Sequence, residues 1–185
     1  MKRVIILRLG HRKKRDVRVT THCALVARAF GASEIILSGE RDETPLETIR
    51  AVTKKWGGKF KARFEVDWRR ALKKFRGERV HLTMYGEPLQ EKITDLRRAA
   101  KKKNVLVVVG AEKVPCEVYA LCDYNVAVGN QPHSEVAAIA VFLHELFEGK
   151  ELNKKFAGAL VQIKPNARGK TVLKKKNCGK QRFHY

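Results

Sequence analysis

The sequence lacks the features that mark membrane, secreted and metal-binding proteins. Its longest apolar runs, residues 105–109 and 136–143, are much shorter than the roughly 20 residues that cross a bilayer. Its four cysteines form no C-x-x-C pair, so neither a zinc site nor a thioredoxin motif is indicated, and we expect no metal. Since the N-terminus shows no signal-peptide pattern, we expect reduced thiols in a cytoplasmic protein.

Acidic residues are also scarce. The 185 residues include 40 Lys and Arg against 19 Asp and Glu, for a formal net charge of +21. The excess lies at the two ends: residues 1–30 hold nine basic residues and one acid, and residues 150–185 hold eleven and one. Because clustered Lys and Arg bind phosphates with release of counterions, this pattern predicts a nucleic-acid partner rather than a membrane surface.

Hydropathy alternates in a way that is typical of an α/β protein. Predicted helices separate short apolar segments, which we interpret as strands at residues 2–9, 34–37, 60–66, 80–84, 105–109 and 125–128. The continuous Val/Leu run at residues 105–109 is typical of a strand that is buried on both faces. We therefore predict a mostly parallel sheet with helices on both faces.

The chain is expected to divide into a domain at residues 1–149 and a basic extension at residues 150–185. The extension begins with the end of a predicted helix at residues 152–156. Two apolar segments, residues 159–163 and 171–173, then flank a turn-rich stretch and predict a β-hairpin. Since an isolated hairpin is marginally stable in water, we expect it to pack on the domain.

Three consecutive predicted strands end with the same pattern. Each is followed by a glycine and then by a proline that opens a helix, at Gly86 and Pro88, Gly110 and Pro115, and Gly129 and Pro132. Ligands of parallel α/β sheets bind outside the carboxyl ends of the strands, and glycine lets the backbone approach them closely. The pattern predicts a small-molecule site lined by backbone groups. A dinucleotide-binding Rossmann site and a P-loop are not supported, since neither glycine motif is present.

These segments resemble the motifs of a known family. Residues 110–115 (GAEKVP) and 128–138 (VGNQPHSEVAA) are similar to the second and third motifs of the SPOUT methyltransferases. The opening segment at residues 9–22 (LGHRKKRDVRVTTH) is similar to that of the archaeal members that methylate the ribose of cytidine 56 in tRNA. The resemblance extends from this segment to residue 146 and depends on the three motifs jointly.

The resemblance implies a fold, an activity and partners. It implies that the chain near residues 80–147 is threaded as a trefoil knot, in which S-adenosyl-L-methionine binds. It also implies a homodimer whose interface completes each active site, and 2′-O-methylation of cytidine 56 in tRNA. Two other functions stay open at this point: methylation of a different RNA site, and RNA binding without catalysis.

The cofactor residues implied by the resemblance lie in three segments. They are Leu82, Tyr85, Gly86, Gly110, Ala111, Glu112, Lys113, Val114, Val128, Gly129, Asn130, Gln131, Pro132, His133, Ser134 and Glu135. Peptide groups of these segments are expected to hold the adenine. Glu112 and Glu135 could instead be carboxylates that favour a helix start, and Ser134 could be a helix cap.

Methyl transfer to a ribose hydroxyl needs alignment of donor and acceptor, and stabilisation of the oxygen as it loses its proton. Related guanosine methyltransferases use an arginine, so we favour Arg18, with Arg15, Arg12 and His22 as alternatives. Those relatives carry their arginine where this chain has Leu25, so the resemblance does not determine which arginine acts.

The two basic ends supply the predicted RNA contacts. These are Arg12, Lys13, Lys14, Arg15, Lys164, Arg168, Lys170, Lys174, Lys175 and Lys176. Another basic run, at residues 97–103, closes a predicted helix and is interpreted as a solvated face. Cys116 and Cys122 are expected to be buried thiols.

Overall fold

A computed structural model describes residues 1–110 and 114–174 of the chain. The strands are β1 (Val4–His11), β2 (Glu34–Gly39), β3 (Lys61–Phe64), β4 (Glu78–Pro88), β5 (Val105–Gly110), β6 (Tyr124–Ala127), β7 (Val161–Lys164) and β8 (Thr171–Lys174). The helices are α1 (Val17–Ala29), α2 (Glu43–Trp56), α3 (Trp68–Lys74), α4 (Leu89–Lys102), α5 (Cys116–Leu121) and α6 (Glu135–Phe147), followed by a 3-10 helix at Lys150–Asn153.

Six strands form one parallel sheet in the order β3-β2-β1-β5-β4-β6. Helices α1, α2, α4 and α6 cover one face, where Val107 packs in a core with Ile6 and Phe142. Helices α3 and α5 cover the other, where Val108 packs with Leu72. Consecutive side chains of β5 thus enter two different cores, which explains its continuous Val/Leu run. The predicted parallel α/β architecture is confirmed.

β4 departs from regular pairing near its end. Leu82 and Glu87 both lie opposite Val126 of β6, so residues 83–86 protrude from the ladder between them. A Cβ atom at Gly86 would lie 2.6 Å from the backbone of Asn125 and Val126. Close packing on β6, rather than an approach to a ligand, therefore requires glycine at this position.

Two local predictions in the domain are wrong. Proline is favoured at the first position of a helix, which predicts that this helix begins at Pro45. In the structure Pro45 is the third residue of α2, because the Asp42 side chain caps the helix earlier by accepting from the Thr44 amide at 2.9 Å. The proline stays within the first turn, where amides lack intrahelical acceptors. Cys116, predicted to be buried, is exposed because it opens the short helix α5 at the surface.

Of the two elements predicted for the extension at residues 150–185, the β-hairpin is present and the helix is not. The helix predicted at residues 152–156 is wrong: left-handed conformations at Glu148 and Gly149 end α6, and only the 3-10 helix follows. Its Glu151 is buried, with Oε1 2.7 Å from Nδ1 of His144. The β-hairpin is confirmed as the antiparallel pair β7-β8.

The trefoil knot and the domain boundary at residue 149 remain predictions.

Among the described residues, no helix is long and apolar enough to cross a bilayer.

Candidate active site

A cavity of about 690 Å³ opens at the carboxyl edge of the sheet, where β5, β4 and β6 are neighbours. The strand order brings together the three glycine–proline turns that the sequence separates by helices α4 and α5. Ten of the predicted cofactor residues line this cavity: Leu82, Tyr85, Gly110, Val114, Val128, Gln131, Pro132, His133, Ser134 and Glu135. Gly86, Gly129 and Asn130 do not line it, and Ala111, Glu112 and Lys113 lie outside the described residues.

Asn130 acts on the shape of the cavity instead. Its Nδ2 donates to the carbonyl oxygens of Met84 at 2.8 Å and of Gly86 at 3.3 Å. These bonds hold the protruding residues 83–86 against the loop that precedes α6. Gly129 has a φ of +130° with open space where a Cβ would lie, so its backbone conformation and not crowding requires glycine.

The sequence did not predict a group of hydrogen-bonded polar side chains around the buried His81, which lines the first cavity. Asn125 Nδ2 donates to the carbonyl of Tyr119 at 3.0 Å, so its Oδ1 is the acceptor that faces Nδ1 of His81 at 3.0 Å. His81 Nδ1 therefore carries the proton. Burial lowers the pKa of His81, despite the hydrogen bond to Asn125, and this favours the neutral ring.

The other ring nitrogen of His81 is an unused acceptor. Its Nε2 is buried and has no hydrogen-bond partner within the described part of the chain. The adjacent Thr83 and Tyr119 hydroxyls lie 3.0 Å apart, and both line the same cavity. A histidine between the apolar residues Val80 and Leu82 of β4 was the sequence signal that could have identified this group.

Glu135 lines the first cavity and also contacts the buried side chain of Arg8. Nε and Nη2 of Arg8 each lie 3.1 Å from Glu135 Oε2, and the Cys23 thiol lies 3.5 Å from the same oxygen. Burial, followed by the charge of Glu135, raises the pKa of Cys23 to about 12. Ser134 caps α6 by accepting from the Ala137 amide at 3.2 Å, as its position before the helix predicted.

The arginine-rich segment follows β1 at the same edge of the sheet. Arg12 donates to Asp16 from Nε at 3.0 Å, which lowers the pKa of that carboxyl. Arg18 and His22 are exposed on α1. None of the four predicted catalytic residues lines the first cavity, although their neighbour Val19 does.

A second cavity of about 490 Å³ lies beside the first. Its walls come from the carboxyl ends of β1, β2 and β5 and from the segment between β3 and α3. Gly110 and Val114 line both cavities, so the two are adjacent. Arg12 lines the second cavity rather than the first.

The predicted RNA contacts fall into two groups that lie apart in the chain's fold. Arg12, Lys13, Lys14 and Arg15 follow the carboxyl end of β1. The hairpin is anchored at the end of α2, where the Gly58 amide donates to the Ala157 carbonyl at 2.8 Å and the Leu160 amide donates to that of Lys55 at 3.0 Å. Because α2 leads into the start of β3, this anchor lies near the amino ends of the parallel strands. The segment that follows β1 lies at their carboxyl ends. Lys175 and Lys176 lie outside the described residues.

The basic run at the end of α4 is engaged within the molecule. Arg97 donates to the Glu145 carbonyl at 2.6 Å, Arg98 pairs with Asp95 at 3.1 Å, and Lys103 pairs with Glu78 at 2.6 Å. These contacts indicate that the end of α4 is a solvated face whose cations pair with acids of the same molecule, rather than a surface that contacts RNA.

Known proteins resemble this chain in sequence. A family described as "tRNA ribose 2′-O-methyltransferase, aTrm56" matches residues 56–173. A protein of Pyrococcus horikoshii named "tRNA (cytidine(56)-2′-O)-methyltransferase" is 54% identical over 179 residues, covering 96% of this chain and 88% of that protein. Another of the same name, from Methanothrix thermoacetophila, is 56% identical over 174 residues, covering 92% of this chain and 97% of that protein.

Solved structures share the fold at low sequence identity. An RNA 2′-O ribose methyltransferase aligns with a TM-score of 0.59 at 16% identity, over 80% of this chain and 57% of that chain. The SpoU methyltransferase AviRb from Streptomyces viridochromogenes, in complex with AdoMet, aligns with a TM-score of 0.53 at 16% identity, over 80% and 58%. This chain thus spans somewhat more than half the length of those two proteins.

Proposed function

This chain belongs to the tRNA ribose 2′-O-methyltransferase family aTrm56, and we propose that it methylates the ribose of cytidine 56 in tRNA with S-adenosyl-L-methionine as the donor. The observation that carries the proposal is the first cavity. Residues of β4 and of the two motifs at 110–115 and 128–138 are separated in sequence by α4 and α5, yet ten of them surround one space of a cofactor's size.

The residues of this cavity fit the cofactor. Leu82, Val109 and Val128 supply apolar walls for a purine, and the unused His81 Nε2 is an acceptor for an amino group. When bound, S-adenosyl-L-methionine supplies a methyl group that is activated by the positive charge on its sulfur. Gly110 and the loop before α6 would hold it through their peptide groups, as the resemblance implied.

Arg18 is the proposed catalytic residue. A guanidinium stays protonated in proteins, so it stabilises negative charge on the 2′-oxygen rather than accepting the proton. Arg15, Arg12 and His22 remain the alternatives, and His22 would act differently, as a base at a ring nitrogen.

A homodimer would explain why Arg18 does not line the cavity of its own chain. Helices α1 and α6 pack on each other, and both carry an exposed apolar side chain, Val19 at 41% and Val141 at 43%. In the proposed dimer, helices α1 and α6 of one copy would contact those of the other, which would cover the two valines and bring an α1 arginine toward the partner's cavity. We propose this dimer as the active form.

The basic ends provide the tRNA-binding surface. Lys13, Lys14 and the hairpin are solvent-exposed, as phosphate-binding groups must be. Since tRNA is a cytoplasmic molecule, we place the enzyme in the cytoplasm.

Methylation assays and calorimetry test the proposal together. The protein should methylate tRNA carrying cytidine 56, with the modified nucleotide located by mass spectrometry, and should bind S-adenosylhomocysteine with one site per chain. His81→Leu should weaken that binding by about tenfold through loss of one hydrogen bond, while the exposed-surface control Lys102→Ala should not. Tight tRNA binding without cofactor binding would favour a non-catalytic RNA-binding protein, and methylation elsewhere would favour a different RNA target.

A further inference from the structure

The described lining of the second cavity includes apolar side chains, the aromatic side chain of Trp68 and the guanidinium of Arg12. Val66 is 75% exposed at its mouth, and the half-buried Trp68 lines it next to Leu9. The Arg69 guanidinium lies 4.3 Å from the centre of the Trp68 ring. Aromatic and apolar side chains beside arginine are typical of surfaces that bind unstacked nucleic-acid bases.

Among the described residues that line this cavity, Glu40 is the one acid. It follows β2 and lies beside the segment that holds Arg12, Lys13, Lys14 and Arg15. Glu40 Oε2 accepts from the Lys13 amide at 2.8 Å, and the Glu40 amide donates to the His11 carbonyl at 2.7 Å. The carboxylate is therefore held in place by backbone contacts. Since it repels phosphate, it does not serve to bind the RNA backbone.

A carboxylate in an RNA-facing cavity suits a base that carries an amino group. Glutamate accepts a hydrogen bond from the 4-amino group of cytosine, whereas uracil presents a carbonyl oxygen at that position. Glu40 Oε1 has no hydrogen-bond partner in residues 1–110 and 114–174, so one oxygen is available to a ligand.

We propose that the second cavity receives the base of the target nucleotide and that Glu40 selects cytosine through its 4-amino group. This inference rests on the proposed function. Because Gly110 and Val114 line both cavities, a nucleotide whose base occupies the second has its ribose beside the first, where the methyl donor would bind. Glu40 is thus a specificity-determining residue.

The decisive measurement is kcat/KM for two tRNA transcripts that differ only at nucleotide 56, cytidine or uridine. The wild-type enzyme should favour cytidine, and Glu40→Gln should reduce the cytidine-to-uridine ratio by about tenfold, because an amide can donate to the uracil carbonyl. Glutamine still offers an oxygen to the Lys13 amide, so the loop keeps its contact. Any effect of the uridine on tRNA folding is the same for the wild-type enzyme and for each variant. It therefore cancels when their cytidine-to-uridine ratios are compared.

A matched control and a second variant complete the test. Glu43→Gln removes a nearby exposed carboxylate that does not line the cavity, and should leave the ratio unchanged. Val66→Glu changes an exposed side chain and should raise KM for tRNA by about tenfold with unchanged affinity for S-adenosylhomocysteine. An unchanged ratio in Glu40→Gln, or an unchanged KM in Val66→Glu, overturns the inference while the proposed function stands. A wild-type protein that does not methylate cytidine 56 overturns both.

Discussion

The guanidinium of Arg8, only 1% exposed, lies 3.1 Å from the carboxylate of Glu135, a residue 127 positions later in the chain. The pair ties β1, at the centre of the sheet, to the first residue of α6 in the cavity wall. A buried ion pair loses far more when one partner is removed than it contributes as a pair, because the other charge stays buried.

Arg8→Met should therefore lower the free energy of unfolding by about 3–5 kcal/mol, measured by urea denaturation. The double variant Arg8→Met/Glu135→Leu should recover much of this loss, since no charge is left buried. Arg98→Met, which breaks the exposed pair with Asp95, is the control and should cost less than about 1 kcal/mol. Equal losses for the two single arginine variants would contradict this account.

Arg18→Ala should reduce kcat for tRNA methylation by about 10²–10³-fold, because charge on the 2′-oxygen loses its stabilising group. S-adenosylhomocysteine affinity should not change, since the proposed partner of Arg18 is the 2′-oxygen of the RNA and not the cofactor. Arg15→Ala serves as the comparison. Full activity of Arg18→Ala together with loss in Arg15→Ala would move the catalytic assignment to Arg15.

His81 should make stability depend on pH. Burial lowers its folded-state pKa below the 6.5 of the free side chain. As pH falls below 6.5 the unfolded chain takes up a proton that the folded chain does not, so stability declines until the folded pKa is reached, at up to about 1.4 kcal/mol per pH unit. Urea denaturation between pH 5 and 7.5 should show this decline to be smaller in His81→Gln. Parallel curves for the two proteins would show that His81 does not cause it.

The cations of the hairpin should contribute to tRNA binding because of where they lie, and not only through the net charge of the protein. Changing Lys164, Arg168 and Lys170 to Glu should weaken tRNA binding by about tenfold or more and flatten its salt dependence, because fewer counterions are released. Filter binding at several salt concentrations measures both. Lys101→Glu/Lys102→Glu alters exposed cations of α4 and should have the smaller effect. If the two sets behave alike, only net charge matters and the hairpin has no specific role.

The cysteines should differ in reactivity. Burial raises the pKa of both Cys23 and Cys122 to about 12, whereas Cys116 is exposed. Since the thiolate is the reactive form, iodoacetamide at pH 8 should label Cys116 in the folded protein, and Cys23 and Cys122 only after denaturation. Peptide mass spectrometry distinguishes the sites. Rapid labelling of Cys23 in the folded state would mean that its surroundings open readily.

Several features could be predicted from the sequence because they depend on local patterns. The Val/Leu run of β5, the glycine–proline turns after three strands and the turn between β7 and β8 are each encoded within a few residues. The motif resemblance identified the family and ten residues of the cavity wall. It did not identify the role of Asn130, whose side chain reaches back to carbonyls 44 and 46 positions earlier.

The sequence by itself determined the parallel α/β class, the basic ends and the family, since periodicity, composition and contiguous motifs carry this information. Only the tertiary structure decided which groups meet. The order β1-β5-β4-β6 differs from the order along the chain, and the irregular pairing of β4 pushes residues 83–86 out over the cavity. The contacts of His81 with Asn125 and of Arg8 with Glu135 follow from that order and register, which no local pattern encodes.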